Sequence, residues 1–302
     1  MPTPIVQNRI QHDSVMLYLA VGRLRTRKQI STKNVESDID KTMLHVSKDI
    51  MESKELEAIQ RHDNELRGWV RERCLPSPFR KKGVLILPVR LIENVMARID
   101  ASQPTRLALI ETFLLAYARL KEEARPKLAS GFNEADYPPD DAVRKTFTFE
   151  CQMWELSAPG QLQSVNRDLY QRELVKMNNM WEQASETISA VLLQEFRKLT
   201  AHMAERLMPG EDGKGKTFRD TTITNLTEWL GLFSARNLTN DSELVAVVDR
   251  ARALVQGVDP ENVRDSDDLR NTLAKDFAEI TAQVDAAIIA RPARAIELSE
   301  LE

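Results

Sequence analysis

Pro159-Gly160 and Pro209-Gly210 bracket residues 161–208, and neither Gly nor Pro falls between them. Within that run Met177, Trp181, Ala184, Ile188, Leu192, Phe196, Leu199 and Met203 recur in steps of three and four. Asn178, Gln183, Glu186, Glu195, Lys198 and Glu205 lie opposite. That spacing is the signature of one buried helical stripe, and it predicts a single uninterrupted helix over 161–208. At the helical rise it would be roughly 70 Å long, more than twice the width of a small domain. A stripe of that length must be covered, and the helical segments from Arg219 onward are the candidates. Met177, Trp181, Ile188, Leu192, Phe196, Leu199 and Met203 are the predicted packing and interaction residues.

Upstream of the run the period changes several times. Residues 15–28 open as a strand, with Val15, Leu17, Leu19 and Val21 on one face and Met16, Tyr18 and Ala20 on the other, so both faces are expected to be covered. Residues 34–74 read as mostly helical, from Ile39, Met43, Val46, Ile50 and Met51 through Leu56, Ile59, Leu66, Trp69 and Val70. Residues 84–87 form a short apolar strand after Gly83. Val89, Ile92, Val95, Met96 and Ile99 then share a helical face. Ser102 to Pro104 resembles a helix entry, since Ser caps exposed amides and Pro suits a first turn. The helix that follows, 105–127, is apolar over much of its circumference. Residues 146–156 alternate, with Phe147, Phe149, Cys151 and Met153 on one side, as a strand should.

Beyond 208 only helices are expected. One carries Ile223, Leu226, Trp229, Leu230 and Phe233. The next is capped by Asn240 or Asp241 and ended by Gly257, and the last starts near Asp265–Asp268. The predicted fold is therefore α+β and mainly helical. A head over 1–160 holds a small sheet of about three antiparallel strands. Residues 161–302 form an antiparallel, coiled-coil-like arm.

Composition narrows the function classes. With 302 residues, 42% hydrophobic and 29% charged, the chain is long enough for a sizeable core under a charged helical surface. Ten glycines and 6% aromatics are too few for an all-β barrel or sandwich. A net charge of -4 does not by itself point to a polyanion partner. Cys74 and Cys151 fit reduced thiols in a cytoplasmic protein. No secretory leader and no apolar run long enough for a membrane span is read.

Three segments carry a resemblance: VMLYLAVGRLRTRKQI, GVLILPVRLIENVMARID and FTFECQMWEL, followed by the long helix. Together they resemble an uncharacterised domain family of bacteria, phages and mobile elements. Its members tend to be encoded beside MoxR-type or cobaltochelatase-like AAA+ ATPases, often with a von Willebrand-type partner. The likeness covers about residues 15–256 and rests on hydrophobic patterns. It implies an accessory role beside an ATPase and supplies no catalytic residues.

Candidate chemistry is sparse. Residues 210–217, GEDGKGKT, match G-x-x-x-x-G-K-[ST] literally, which would place Gly210 and Gly215 around phosphates, Lys216 on the outer ones and Thr217 on magnesium. A true P-loop follows a buried strand, whereas 199–208 reads as helix. The apolar run 244–249 ending in Asp249 also has helical spacing. An exposed inter-helix loop explains the match, and a nucleotide site stands as the enzymatic alternative. His12, His45, His62 and His202 show no metal-ligand spacing, and His202 with Glu205 is half a carboxylate site at most. Cys74 sits near Arg71 and Arg73 without an identifiable histidine base. No metal, cofactor or catalytic residue is assigned.

Arg23, Arg25 and Arg27 at one strand end and Arg80, Lys81 and Lys82 before another would make one phosphate-binding patch if the strands are neighbours. A solvated strand end is the simpler account of the arginines, because no aromatics interleave. Membrane activity by the stripe bearing Trp181 and Phe196 ranks lower still, since its polar face mixes acid and base. The expected function is a non-enzymatic accessory protein that docks onto a protein partner, an AAA+ ATPase or a second copy of itself. Nucleic-acid binding is the alternative.

Overall fold

The computed structural model describes residues 9–31, 38–40, 43–79, 81–209 and 218–290. It is a mainly helical α+β protein. The strands are β1 (Ser14–Val21), β2 (Arg27–Ile30), β3 (Val46–Asp49), β4 (Leu75–Pro76), β5 (Val84–Pro88) and β6 (Phe149–Trp154). Four form an antiparallel sheet in the order β4-β5-β1-β6, and β2 pairs with β3 alone. The helices are α1 (Arg9–His12), α2 (Lys54–Arg73), α3 (Ile92–Leu128), α4 (Asp140–Thr146), α5 (Leu162–Val165), α6 (Arg167–Leu207), α7 (Asp220–Arg236), α8 (Ser242–Val255), α9 (Pro260–Asp265) and α10 (Asp267–Ala290). None is long and apolar enough to cross a membrane among the described residues.

Among the described residues six strands stand where about three were expected. The predicted helical start at 39–51 is instead partly sheet: β3 pairs antiparallel with β2, Arg27 opposite Asp49 and Ile30 opposite Val46. Ile50 and Met51 are buried, but Ile39 and Met43 are exposed, so the apparent stripe had no single face. Short apolar runs fit either period, and cross-strand pairing chose between them. The two-residue β4 places Pro76 on an edge strand, where its missing N–H costs no ladder bond.

Pro104 does not start a helix; it lies inside α3. The Ser102 hydroxyl turns back to the Ile99 carbonyl (2.8 Å) instead of capping amides, and His62 Nε2 donates to the Ser102 carbonyl (3.1 Å). Conversely, the run over 161–208 is not one helix. Asn166 is extended, and its side chain accepts from the Leu169 amide (2.9 Å), so it ends α5 and caps α6. Periodicity is blind to such a cap. The cap at Asp241 and the positive φ at Gly257 after α8 match expectation.

The chain divides into two compact units. The first comprises Met1–Leu17, Arg73–Ile92 and Met153–Glu302, so the expected boundary at 160/161 falls inside it. Here α6 and α10 run antiparallel: Arg197 pairs with Asp285, Thr281 donates to Thr200 (3.0 Å), and Arg270 reaches the Arg206 carbonyl (3.3 Å). Phe196 of α6 stacks on Trp229 of α7, which stacks on Phe233 (centroids 5.1 and 5.3 Å).

The second unit comprises Tyr18–Glu72 and Glu93–Gln152. Its core gathers α3 residues Ile110, Phe113, Tyr117 and Leu120 with Ile50, Ile59, Val143 and Phe147. Phe113 meets Tyr117 and Phe147 at 5.8 and 5.7 Å. The two tyrosine hydroxyls there are satisfied, Tyr117 by the Pro138 carbonyl and Tyr137 by that of Ile50.

Candidate functional site

In the second unit β1 ends at Val21, and the chain turns at Gly22 under tight constraint. The Gly22 amide donates to the Thr148 carbonyl (2.9 Å). A Cβ on Gly22 would come within 2.4 Å of Thr148 Oγ1 and 2.7 Å of the Thr146 carbonyl oxygen, so no larger residue fits without backbone movement. Arg106 of α3, fully buried, holds the other side of this turn. Its Nη2 donates to the Gly22 carbonyl (2.9 Å), its Nε to Asp63 Oδ1 (2.8 Å), and its Nη1 reaches toward the Phe147 carbonyl (3.4 Å). Asp63, on α2, is equally buried and is thereby committed to Arg106.

One turn further along α2, Arg67 donates Nη2 to the Val21 carbonyl (3.1 Å). Two successive carbonyls of the strand end are therefore held by two arginines from different helices. Arg67 is half-buried, and its affinity for its proton is lowered. Burial is the main cause; Asp63 opposes it, while the positive charges of Arg23, Arg71 and Arg106 add to it. The charge of Asp63 is thus set against those of three other guanidiniums at Arg67. Among the described residues Arg23, Arg67 and Arg71 form no ion pair.

Of the expected basic patch, Arg23 is in this cluster. Arg25 is exposed between β1 and β2, and Arg27 sits opposite Asp49 in the β2–β3 pair at 4.0 Å. Arg80 lies outside the described residues, and Lys81 and Lys82 belong to the first unit. Arg67 and Arg71 were missed because they lie on α2, far from the strand end in sequence. A signal was present: an i,i+4 pair of like charges disfavours a helix, and its presence invites a reason.

The nucleotide-like segment with Gly210, Gly215, Lys216 and Thr217 lies outside the described residues. The chain enters it from α6 and leaves it into α7. Leu244 and Val248, in the apolar run that ends at Asp249, are buried on α8.

The thiols are poor nucleophiles. Burial pushes the Cys74 thiol up to about 12, against the pull of Arg236 and Arg73. Burial, then the charge of Asp100, also raises Cys151. Both are free cysteines held in the protonated form at neutral pH. Among the described residues no three His, Cys, Asp or Glu side chains are placed to hold a metal.

The packing residues of the long helix divide along its length. Trp181, Ile188, Leu192, Phe196 and Met203 are buried, and Leu199 and Met177 are half-buried. Toward the amino end the stripe loses its cover. No residue of α5 or of α6 before Trp181 is buried; Leu169, Tyr170, Leu174 and Met177 are half-buried on one face, and Val165 and Val175 are 79% and 58% exposed. Among the described residues, about 20 Å of α6 carries a half-uncovered apolar face.

Comparison with protein-family models, with curated proteins and with solved structures gives no match for this chain.

Proposed function

We propose that this chain is a non-enzymatic accessory protein that docks onto a protein partner through the amino-terminal part of α6, its docking arm. The carrying observation is the half-uncovered stripe Leu169, Tyr170, Leu174 and Met177 running into the fully buried stripe that starts at Trp181. Fully burying one such side chain contributes about 1.5–3 kcal/mol, so a short patch is enough to anchor a complex. Burial of both thiols, which raises them, argues against a cysteine nucleophile. Two free cysteines fit a cytoplasmic setting. The partner class, an AAA+ ATPase, is supported by the resemblance of the three segments described above.

Affinity purification from the host, with mass determination by light scattering, tests the reading. The expected outcome is an AAA+ ATPase recovered at fixed ratio by the wild type and lost with Leu174→Asp combined with Met177→Asp. A wild type that elutes alone as a monomer overturns it. An oligomer of this chain alone, dissolved by the same substitutions, would make a second copy the occupant and remove the ATPase from the proposal.

A further inference from the structure

We propose that Arg23, Arg67 and Arg71 form a binding site for a phosphate group at the end of β1. This is independent of the docking face on α6. The geometry comes first: Arg67 is tied to the Val21 carbonyl at 3.1 Å, and the neighbouring Gly22 carbonyl is held by Arg106 at 2.9 Å. These bonds set the position from which Arg23 leaves the strand end. Arg71 follows Arg67 by one turn of α2, on the same face.

The charge balance points the same way. Asp63, one turn before Arg67 on α2, is buried and already bound by Arg106, with 2.8 Å between Nε and Oδ1. At about 100° per residue, the Arg67 face of α2 carries Gln60, Asn64 and Arg71, while Glu65 and Glu72 point well away. Gln60 and Asn64 are exposed, neutral and able to hydrogen-bond an anion. A solvated helix face explains exposed arginines that stand apart. It does not explain why Arg67 is half-buried and tied to the Val21 carbonyl, with Arg71 one helical turn away and Arg23 two residues beyond that carbonyl, an arrangement whose repulsion a multivalent anion would relieve. The helix carboxyl end favours Arg71, yet it gives Arg23 no reason to join.

Phosphate is the matching chemistry, because guanidinium forks donate in pairs to its oxygens. The group is carried either by a nucleic-acid backbone or by a free polyphosphate, and both sources are testable. Inorganic pyrophosphate would be titrated by calorimetry, and a labelled single-stranded oligonucleotide by fluorescence anisotropy, against the full chain and its Arg23→Gln and Arg71→Gln variants. Both substituted residues are exposed, and unchanged urea midpoints would certify the fold. The expected result is binding of at least one probe, weakened about tenfold by each substitution. For the oligonucleotide, the slope of log affinity against log salt should fall by about one per arginine removed. Loss with both probes assigns the site to a phosphodiester strand, and loss with pyrophosphate alone assigns it to the free anion. Failure of the wild type to bind either probe, or variants that bind both as the wild type does, overturns the proposal.

Discussion

A buried arginine is paired with a carboxylate in each unit, Arg106 in the second and Arg236 in the first, and the two pairs are not equivalent. In the second unit Arg106 and Asp63 are both shut away, their side chains 3% and 4% exposed. In the first, Arg236 is 2% exposed, but its partner Glu195 remains 36% exposed. Glu195 accepts Arg236 in bidentate fashion (2.7 and 3.0 Å) and also the Trp229 indole N–H (2.8 Å). Arg106 has a wider reach: besides Asp63 it satisfies the Gly22 carbonyl, so α2, α3 and the end of β1 meet on one side chain. Water can stand in for a lost partner only where it can enter. The doubly buried pair should therefore be far costlier to break than the half-wet one, although the bond lengths are similar.

The largest effect is expected from Asp63→Ala, which strands a buried guanidinium and should remove about 3–5 kcal/mol of stability in urea unfolding. A loss near 1 kcal/mol would mean that the site rehydrates, and the contrast would vanish. Glu195→Ala should cost less, about 1.5–3 kcal/mol, because solvent reaches the vacated position. Equal losses from the two substitutions would break the comparison outright.

Gly22→Ala attacks the Arg106 node without touching charge. The added methyl must displace the Thr146 and Thr148 segment, and about 1–3 kcal/mol is expected. Combined with Asp63→Ala, the effects should fall short of additivity, since both act through Arg106. The two thiols sharpen the assignment by region. Cys74 belongs to the first unit and Cys151 to the second. In single-cysteine backgrounds, Glu195→Ala should speed thiol labelling at Cys74 more than at Cys151, and Asp63→Ala the reverse. Parallel acceleration at both sites would show that the units open together.

The smallest effect calibrates the scale. Ser53 accepts from the Leu56 amide (3.1 Å) at the start of α2 and donates to Glu55 (2.9 Å). Ser53→Ala should cost about 1 kcal/mol. Glu55 is held below the usual carboxylate range by its own backbone amide, then by Ser53 and Arg119. Its folded form thus holds its proton more weakly than the unfolded chain does. That contribution is complete above the ordinary glutamate range and is lost as pH falls through the lowered folded value. Ser53→Ala should flatten this acid slope and leave stability at neutral pH otherwise parallel to wild type.

Much of the helical architecture is legible in the sequence alone. The stripe from Trp181 to Met203 is buried except at half-buried Leu199, and Asp241 and Gly257 bound α8 as expected. These features depend on residues within a turn or two of one another, which periodicity and capping rules capture. The errors have the same root. The 39–51 segment offered apolar residues compatible with two periods, and its pairing with β2 was invisible locally. Pro104 looked like a helix start because Ser102 could have capped a first turn, yet its hydroxyl bonds the Ile99 carbonyl within α3. Asn166 interrupted a stripe whose apolar spacing continued across it.

The arginine cluster marks the limit most clearly. Residue type and helical face placed Arg67 and Arg71 together on α2, because one turn of helix separates them. Nothing local brought Arg23 to them, or matched Asp63 with Arg106 across 43 positions. Those meetings depend on how α2, α3 and the end of β1 pack, and on the burial that makes water unavailable. Chain-local chemistry decides which helices form and where they stop. Long-range packing decides which charges face one another and how strongly, because the dielectric surroundings of a charge belong to the folded molecule and not to its neighbours in sequence.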